Sequence, residues 1–232
     1  YGDGYYGGLM VAAMYSHAFV TDDVGEIIEK SLQMIPEEST YHQCIRDVVD
    51  WHSQYPDDWR ATWQIIEDKW GHDIGCPGGA GTPYNIDAKL NSAYVLLGLL
   101  YGDGDIGKTM EILTRAGQDS YCNPATAGGI LGVIHGYNAI PEYWGAGLPL
   151  VEDMDFKFTS TSLNDVYALS YKHALELISR EGGAVLDDHV KIKVQEPAKV
   201  PLEQGFPGYR IAEKRSFSQR IIEAGDVVFE TG

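Results

Sequence analysis

Two stretches of this chain are apolar on nearly every side of a helix, and that property limits what the rest can be. They are "GGLMVAAMYSHAFV" (residues 7–20) and "NIDAKLNSAYVLLGLLYGDGD" (residues 85–105). A helix hydrophobic all round is stable only when other elements surround it. The chain must therefore build a layered helical body, with other helices covering these two.

The covering helices are legible from their caps and stops. "TDDVGEIIEKSLQMIP" opens on Thr21 as the expected cap, places acids in its first turn and ends before Pro36. "STYHQCIRDVVDWHSQYP" repeats the plan with Ser39 or Thr40 as cap. "DDWRATWQIIEDKWG" carries Trp59, Trp63, Ile66 and Trp70 near helical spacing. "IGKTMEILTRAG" ends at Gly117, and "STSLNDVYALSYKHALELISREGG" shows a Ser162–Asp165 capping box with Gly182 or Gly183 as the stop. Residues 5–181 thus read mostly as helix, interrupted at "HDIGCPGGAGTPYN" by glycine and proline. After residue 183 the period changes. "HVKIKVQ" alternates as a strand does, and "AGDVVFETG" ends on a strand-like run. The expected architecture is a mainly α domain over residues 1–183, followed by the start of a β-rich domain over 184–232.

Charge narrows the function. The formal net charge is −17. Such a surface repels phosphate backbones, which argues against nucleic acid, and mildly against anionic substrates unless metal ions invert the local field. No apolar run approaches the roughly 20 residues of a membrane span. Cys44, Cys76 and Cys122 are odd in number and widely spaced, as ordinary thiols in a reducing compartment would be. The first residue is Tyr1 rather than Met, as in a fragment or a processed product, so compartment stays open.

The chemistry concentrates in "RAGQDSYCNPATAGGILGVIHG" (residues 115–136). Asn123 before Pro124 is a strong helix start, a capping amide followed by proline at the first helical position. Gly128, Gly132 and Gly136 lie four apart, a stripe that lets a neighbouring helix approach closely. Each helical glycine costs roughly 0.5–1 kcal/mol relative to alanine, so several together imply a packing demand. Asp119 sits in the polar turn ahead of this helix. A carboxylate among small hydroxyl residues suits a hard cation such as Mg²⁺. The same acid is equally suited to bonding backbone amides of its own turn.

The segment "YGDGDIGKTMEILTRAGQDSYCNPATAGGILGVIHGYNAIPEYW" resembles the ADP-ribosylglycohydrolase superfamily. One branch of that superfamily reads Gly-Gln-Asp-Ser-Asp-Cys-Asn-Pro where this chain has "GQDSYCNP". "GYYGGLMVAAM" is similar to the family's glycine segment, in which a loop leads into a helix near the substrate. The resemblance covers residues 1 to about 145. It implies an all-α domain with two Mg²⁺ ions in a cleft, acting on an ADP-ribose-like glycoside. Asp119 would be the first metal-binding acid of the late motif. Gly7, Gly8, Ser120 and Asn123 would be substrate-binding positions, with Gly7 and Gly8 giving backbone N–H groups to a phosphate. Tyr121 stands where the second metal-binding acid belongs, and Cys122 where a threonine belongs. A neutral phenol supplies no carboxylate charge and a thiol suits Mg²⁺ poorly, so the second ion's site is altered. The family's early Thr-Asp-Asp motif belongs upstream of the glycine segment. Thr21–Asp23 lies downstream of it, and reads as a helix start.

Two functions follow as expectations. The first is metal-assisted hydrolysis of an N- or O-glycosidic bond in a small glycosidic substrate. The second is a catalytically impaired binding or structural module on the same fold, with carbohydrate association through the β-rich part as a variant. His72, Asp73 and Cys76 lack a fourth ligand. The aromatic set Trp51, Tyr55, Trp59, Trp63 and Trp70 could stack on rings, although aromatics at helical spacing usually belong to a core.

Overall fold

A computed structural model describes residues 2–71, 86–195 and 197–203. The glycine-rich loop with His72, Asp73 and Cys76, and the strands expected beyond residue 203, lie outside the described residues. The helices are α1 (Gly2–Ala18), α2 (Val24–Leu32), α3 (Thr40–Gln54), α4 (Trp59–Trp70), α5 (Ala88–Gly102), α6 (Ile106–Ala116), α7 (Cys122–His135), the single turn α8 (Glu142–Gly145) and α9 (Leu163–Arg180). A short antiparallel hairpin, β1 (Ala184–Val185) with β2 (Val190–Lys191), follows. The body is all-α, as expected. No described helix is long and apolar enough to cross a membrane.

Helix α5 is the hub. It is buried along almost its whole length and packs against α1, α2, α3, α4, α6 and α7. Its tightest neighbour is α6. A Cβ added at Gly98 would lie 2.3 Å from Leu113 Cγ, and one added at Gly102 would lie 1.9 Å from Thr109 Oγ1. Those glycines are four apart, and so are the residues they accept, so one ridge of α6 seats in a glycine groove on α5. By contrast, α1 buries only the stripe Tyr6, Gly7, Met10, Ala13, Met14 and Ala18, and leaves Gly4 and Gly8 exposed.

The caps are local acids and serines. Ser39, Asp58, Asp87 and Asp105 each accept from an amide of the helix they open, and Ser162 and Asp165 form the full capping box. The α2 cap is Asp23 rather than Thr21; Asp23 Oδ1 accepts from Glu26 N at 3.0 Å. Thr21 instead donates to Glu26 Oε2 at 2.7 Å and accepts from Asp23 N. The reading of "TDD" as a helix start holds, with the role moved by two residues.

The glycine stripe on α7 does not pack as one face. Gly128 lies under Met110 of α6, Gly129 under the Tyr15 hydroxyl of α1, Gly132 faces open space, and Gly136 is the C-cap with φ of 75°. Adjacent helical positions point about 100° apart, so neighbouring glycines admit two different helices.

Beyond α7 the chain is less regular, with 3₁₀ turns at Tyr137–Ala139 and Leu148–Leu150. Helix α9 buries none of its residues. The chain then returns to the body. Val200 N donates to Met34 O at 2.9 Å, Lys199 pairs with Glu37 at 3.0 Å, and the buried Tyr6 hydroxyl donates to Pro201 O and accepts from Glu203 N.

Candidate functional site

The turn between α6 and α7 is built from two left-handed positions. Gly117 has φ of 89°, and Gln118, without glycine's freedom, has φ of 53°. The strain at Gln118 is held by contacts from α4. Trp63 Nε1 donates to Ala116 O at 2.8 Å, and Gln118 Nε2 donates to Glu67 Oε1 at 3.3 Å. Both ends of the sharp bend are thus anchored before Asp119 appears.

Asp119 is nearly buried, at 9% exposure. Its Oδ1 accepts from Cys122 N at 3.0 Å, which satisfies an orphan donor of the first turn of α7. Its own amide donates to Asn91 Oδ1 at 3.2 Å, and Asn123 Nδ2 donates to the same oxygen at 2.9 Å. Asn91 in turn donates to Asp87 O at 2.9 Å. Asn123 is therefore not the cap expected from the sequence. Tyr121 occupies that position without a side-chain cap bond, because the Asn123 amide is turned inward onto α5. Tyr121 is 70% exposed, and Ser120 is half-buried beside it. The Cys122 thiol is exposed, and its hydrogen bond to the Asp119 carboxylate pushes its pKa up. That bond favours the thiol over the thiolate.

The glycine segment proves to be helix rather than loop. Gly7 and Gly8 lie more than a turn inside α1, so their backbone N–H groups fall within the helical ladder, where a phosphate gains no free donor from them. What the glycines provide is room. A Cβ at Gly7 would meet Ala88 Cβ at 3.6 Å, Ser92 Oγ at 3.7 Å and Tyr41 Cε2 at 3.8 Å, whereas Gly8 opens on empty space.

These contacts bring the two sequence signals together on the first turns of α5. Gly7 faces Ala88 and Ser92; Asn91, between them in sequence, holds Asp119 and Asn123. Around this junction stand groups that sequence reasoning missed. Lys89 is 2% exposed, with its Nζ 3.6 Å from Asp3 Oδ2 and over the Trp70 ring at 5.1 Å. Asp87 is buried, and the fully buried Tyr41 has a hydroxyl without a hydrogen-bond partner among the described residues. Burial holds that phenol protonated. The available signal was polarity inside an otherwise apolar helix, "NIDAKLNS", where each polar side chain needs a reason to be buried.

For a divalent cation, the α6–α7 turn supplies one carboxylate, Asp119, with the Ser120 hydroxyl next in sequence. A carboxylate has about four acceptor positions, so the bond from Cys122 does not saturate it. No group of three or more His, Cys, Asp or Glu able to hold a metal lies among the described residues. Asp119 fits one ligand position of Mg²⁺ and not a full set. Trp51, Trp59, Trp63 and Trp70 are partly buried against the core, as aromatics at that spacing usually are, while Tyr55 is exposed.

A family model described as ADP-ribosylglycohydrolase matches residues 1–173. No curated protein and no solved structure matches the chain.

Proposed function

The chain belongs to the ADP-ribosylglycohydrolase family, and from that premise we propose that it hydrolyses an N- or O-glycosidic bond in an ADP-ribose-like glycoside, at the junction of α1, α5 and α7. The observation that carries this reading is the convergence of Gly7 and Asp119 on the first turns of α5. Open space at Gly8 admits the ligand against α1. Asp119, half-fixed by Asn91, offers carboxylate oxygen to a cation or to a ribose hydroxyl. Buried Lys89 offsets negative charge gathered there, since Asp3 and Asp87 lie on the same junction. Mg²⁺, when bound, supplies a template and electrostatic stabilisation for the departing glycoside; Asp119, with Ser120, would be this chain's contribution to holding it.

A second reading, a binding module of impaired activity, is favoured by one observation. Tyr121, in place of an acid, points to solvent and brings no charge to the turn.

Calorimetric titration of the full chain with Mg²⁺ and ADP-ribose, together with a release assay on an ADP-ribosylated peptide, separates the two. Binding with release supports the hydrolase. Binding without release supports the module. Absence of binding by either ligand defeats the ADP-ribose assignment altogether.

A further inference from the structure

We propose a second ligand site, between α4 and the end of α6, for a mononucleotide-like molecule, meaning a planar ring that carries an anionic group. The site is a cavity of about 520 Å³ lined by Trp59, Arg60, Trp63, Gln64 and Arg115, within the size range of small-molecule pockets. It shares none of these residues with the Asp119 junction, so it does not rest on the hydrolase reading.

The ring platform is preordered. Trp59 and Trp63 are four apart on α4 and share a face. Both are partly buried, and the Trp63 indole is fixed by its bond to Ala116 O. Side chains already held in place lose little freedom when a ring stacks on them.

The anion-binding part is an arginine without an ion pair among the described residues. Arg46, Arg115 and Arg180 each pair with a carboxylate. Arg60 has no carboxylate partner among the described residues; its guanidinium lies 4.7 Å from the centre of the Trp59 ring. Stacked in this way, a guanidinium keeps its N–H edge free for bidentate contact with phosphate. Arg115 adds a second guanidinium. Its partner Glu111 sits one turn away on the same helix with both side chains more than half exposed, so that pair is weak and readily redirected.

The lining carries two cations and no acid, against a chain whose net charge is −17. Another cavity, of about 770 Å³, shows the contrast, because there Arg46, Lys69 and Lys199 pair with Glu29, Asp47 and Glu37. The lining thus presents two guanidinium groups to an anion, with Asp58, which accepts from the Arg60 amide, and Asp68, bonded to Gln64, at its margin.

The test is titration of the full chain, in EDTA-containing buffer, with AMP, adenosine and ribose 5-phosphate, read by tryptophan fluorescence and calorimetry. AMP is expected to bind at least about tenfold tighter than either half-molecule, a gap of about 1.4 kcal/mol. Arg60→Gln should reduce AMP to the affinity of adenosine, and Trp59→Leu should reduce it to that of ribose 5-phosphate. Asp119→Asn should leave AMP binding unchanged. The proposal is overturned if AMP binds no better than its halves, if Arg60→Gln and Trp59→Leu leave its affinity intact, or if Asp119→Asn abolishes binding.

Discussion

A single substitution, glycine to alanine, should change sign between two helices of this protein. In a helix interior alanine is favoured by roughly 0.5–1 kcal/mol, because glycine loses more backbone freedom on folding. At Gly132 a new Cβ would meet nothing within 4 Å, so Gly132→Ala should stabilise by about that amount. At Gly98 the new Cβ would lie 2.3 to 2.6 Å from Cγ, Cδ1 and Cδ2 of Leu113. Leu113 is fully buried, so its branched end has nowhere to retreat and the α5–α6 contact must open. Overpacking of this kind costs about 1–3 kcal/mol, occasionally more, and outweighs the propensity gain. Gly98→Ala should therefore destabilise by about 1–2 kcal/mol, or roughly 2–8 °C in Tm for a chain of this size. Gly128 is the intermediate case. Its new Cβ would meet only the Met110 side chain, whose free end Cε would lie at 2.2 Å and whose Sδ at 3.8 Å. Rotation of that methyl should leave Gly128→Ala within about 0.5 kcal/mol of neutral. Urea unfolding followed by circular dichroism measures all three, with constant m values confirming that native stability changed. If Gly98→Ala raises the midpoint or Gly132→Ala lowers it, the assignment of these faces is wrong.

The site makes further demands. Asn91→Ala should leave the Asp119 amide and the buried Asn123 side chain without an acceptor, costing about 2–6 kcal/mol in urea unfolding at about 1–3 kcal/mol per orphaned donor; a cost no larger than that of Asn123→Ala, which orphans neither, would count against the hub role of Asn91. Tyr121→Asp should raise Mg²⁺ affinity by at least about tenfold, or about 1.4 kcal/mol, while Tyr121→Phe changes little; the exposure of Tyr121 makes either change cheap to the fold, and an Asp variant that binds no better than the Phe variant would show that the turn is only a helix start. Glu29 is held below its ordinary pKa chiefly by the hydrogen bonds from Arg46, so its contribution to stability is present above about pH 4.5 and is lost as pH falls through the depressed value. Acid titration of unfolding should then show wild type and Glu29→Gln separated at pH 6 and converging once pH falls below the depressed value; parallel curves would mean that the ion pair is immaterial.

The amino-acid sequence by itself determined where helices begin and stop, because caps and breakers act within a turn. Ser39, the Ser162–Asp165 box, Gly117 and the glycine at 182 all sit where local chemistry places them. It also determined that the segment from 88 to 102 is buried, since so apolar a surface has no stable alternative. The family resemblance was legible in the turn motif for the same local reason. Tertiary structure decided the rest. Asn123 is a plausible cap by sequence, but Asn91, thirty-two residues away, offers its side chain a buried acceptor, and Asp119 takes over the amide that needed satisfying. The four-apart α7 stripe looked like the close-packing surface, yet a four-apart glycine pair that accepts one neighbouring ridge is Gly98 and Gly102 on α5, because only the approach of α6 decides which of its glycines must lack a Cβ. Gly7 and Gly8 read as a loop by resemblance and fold as helix, where the ladder takes up their amides and what they offer is space. In each case the deciding partner is remote in sequence, and a contact between distant residues leaves no periodicity or spacing to read.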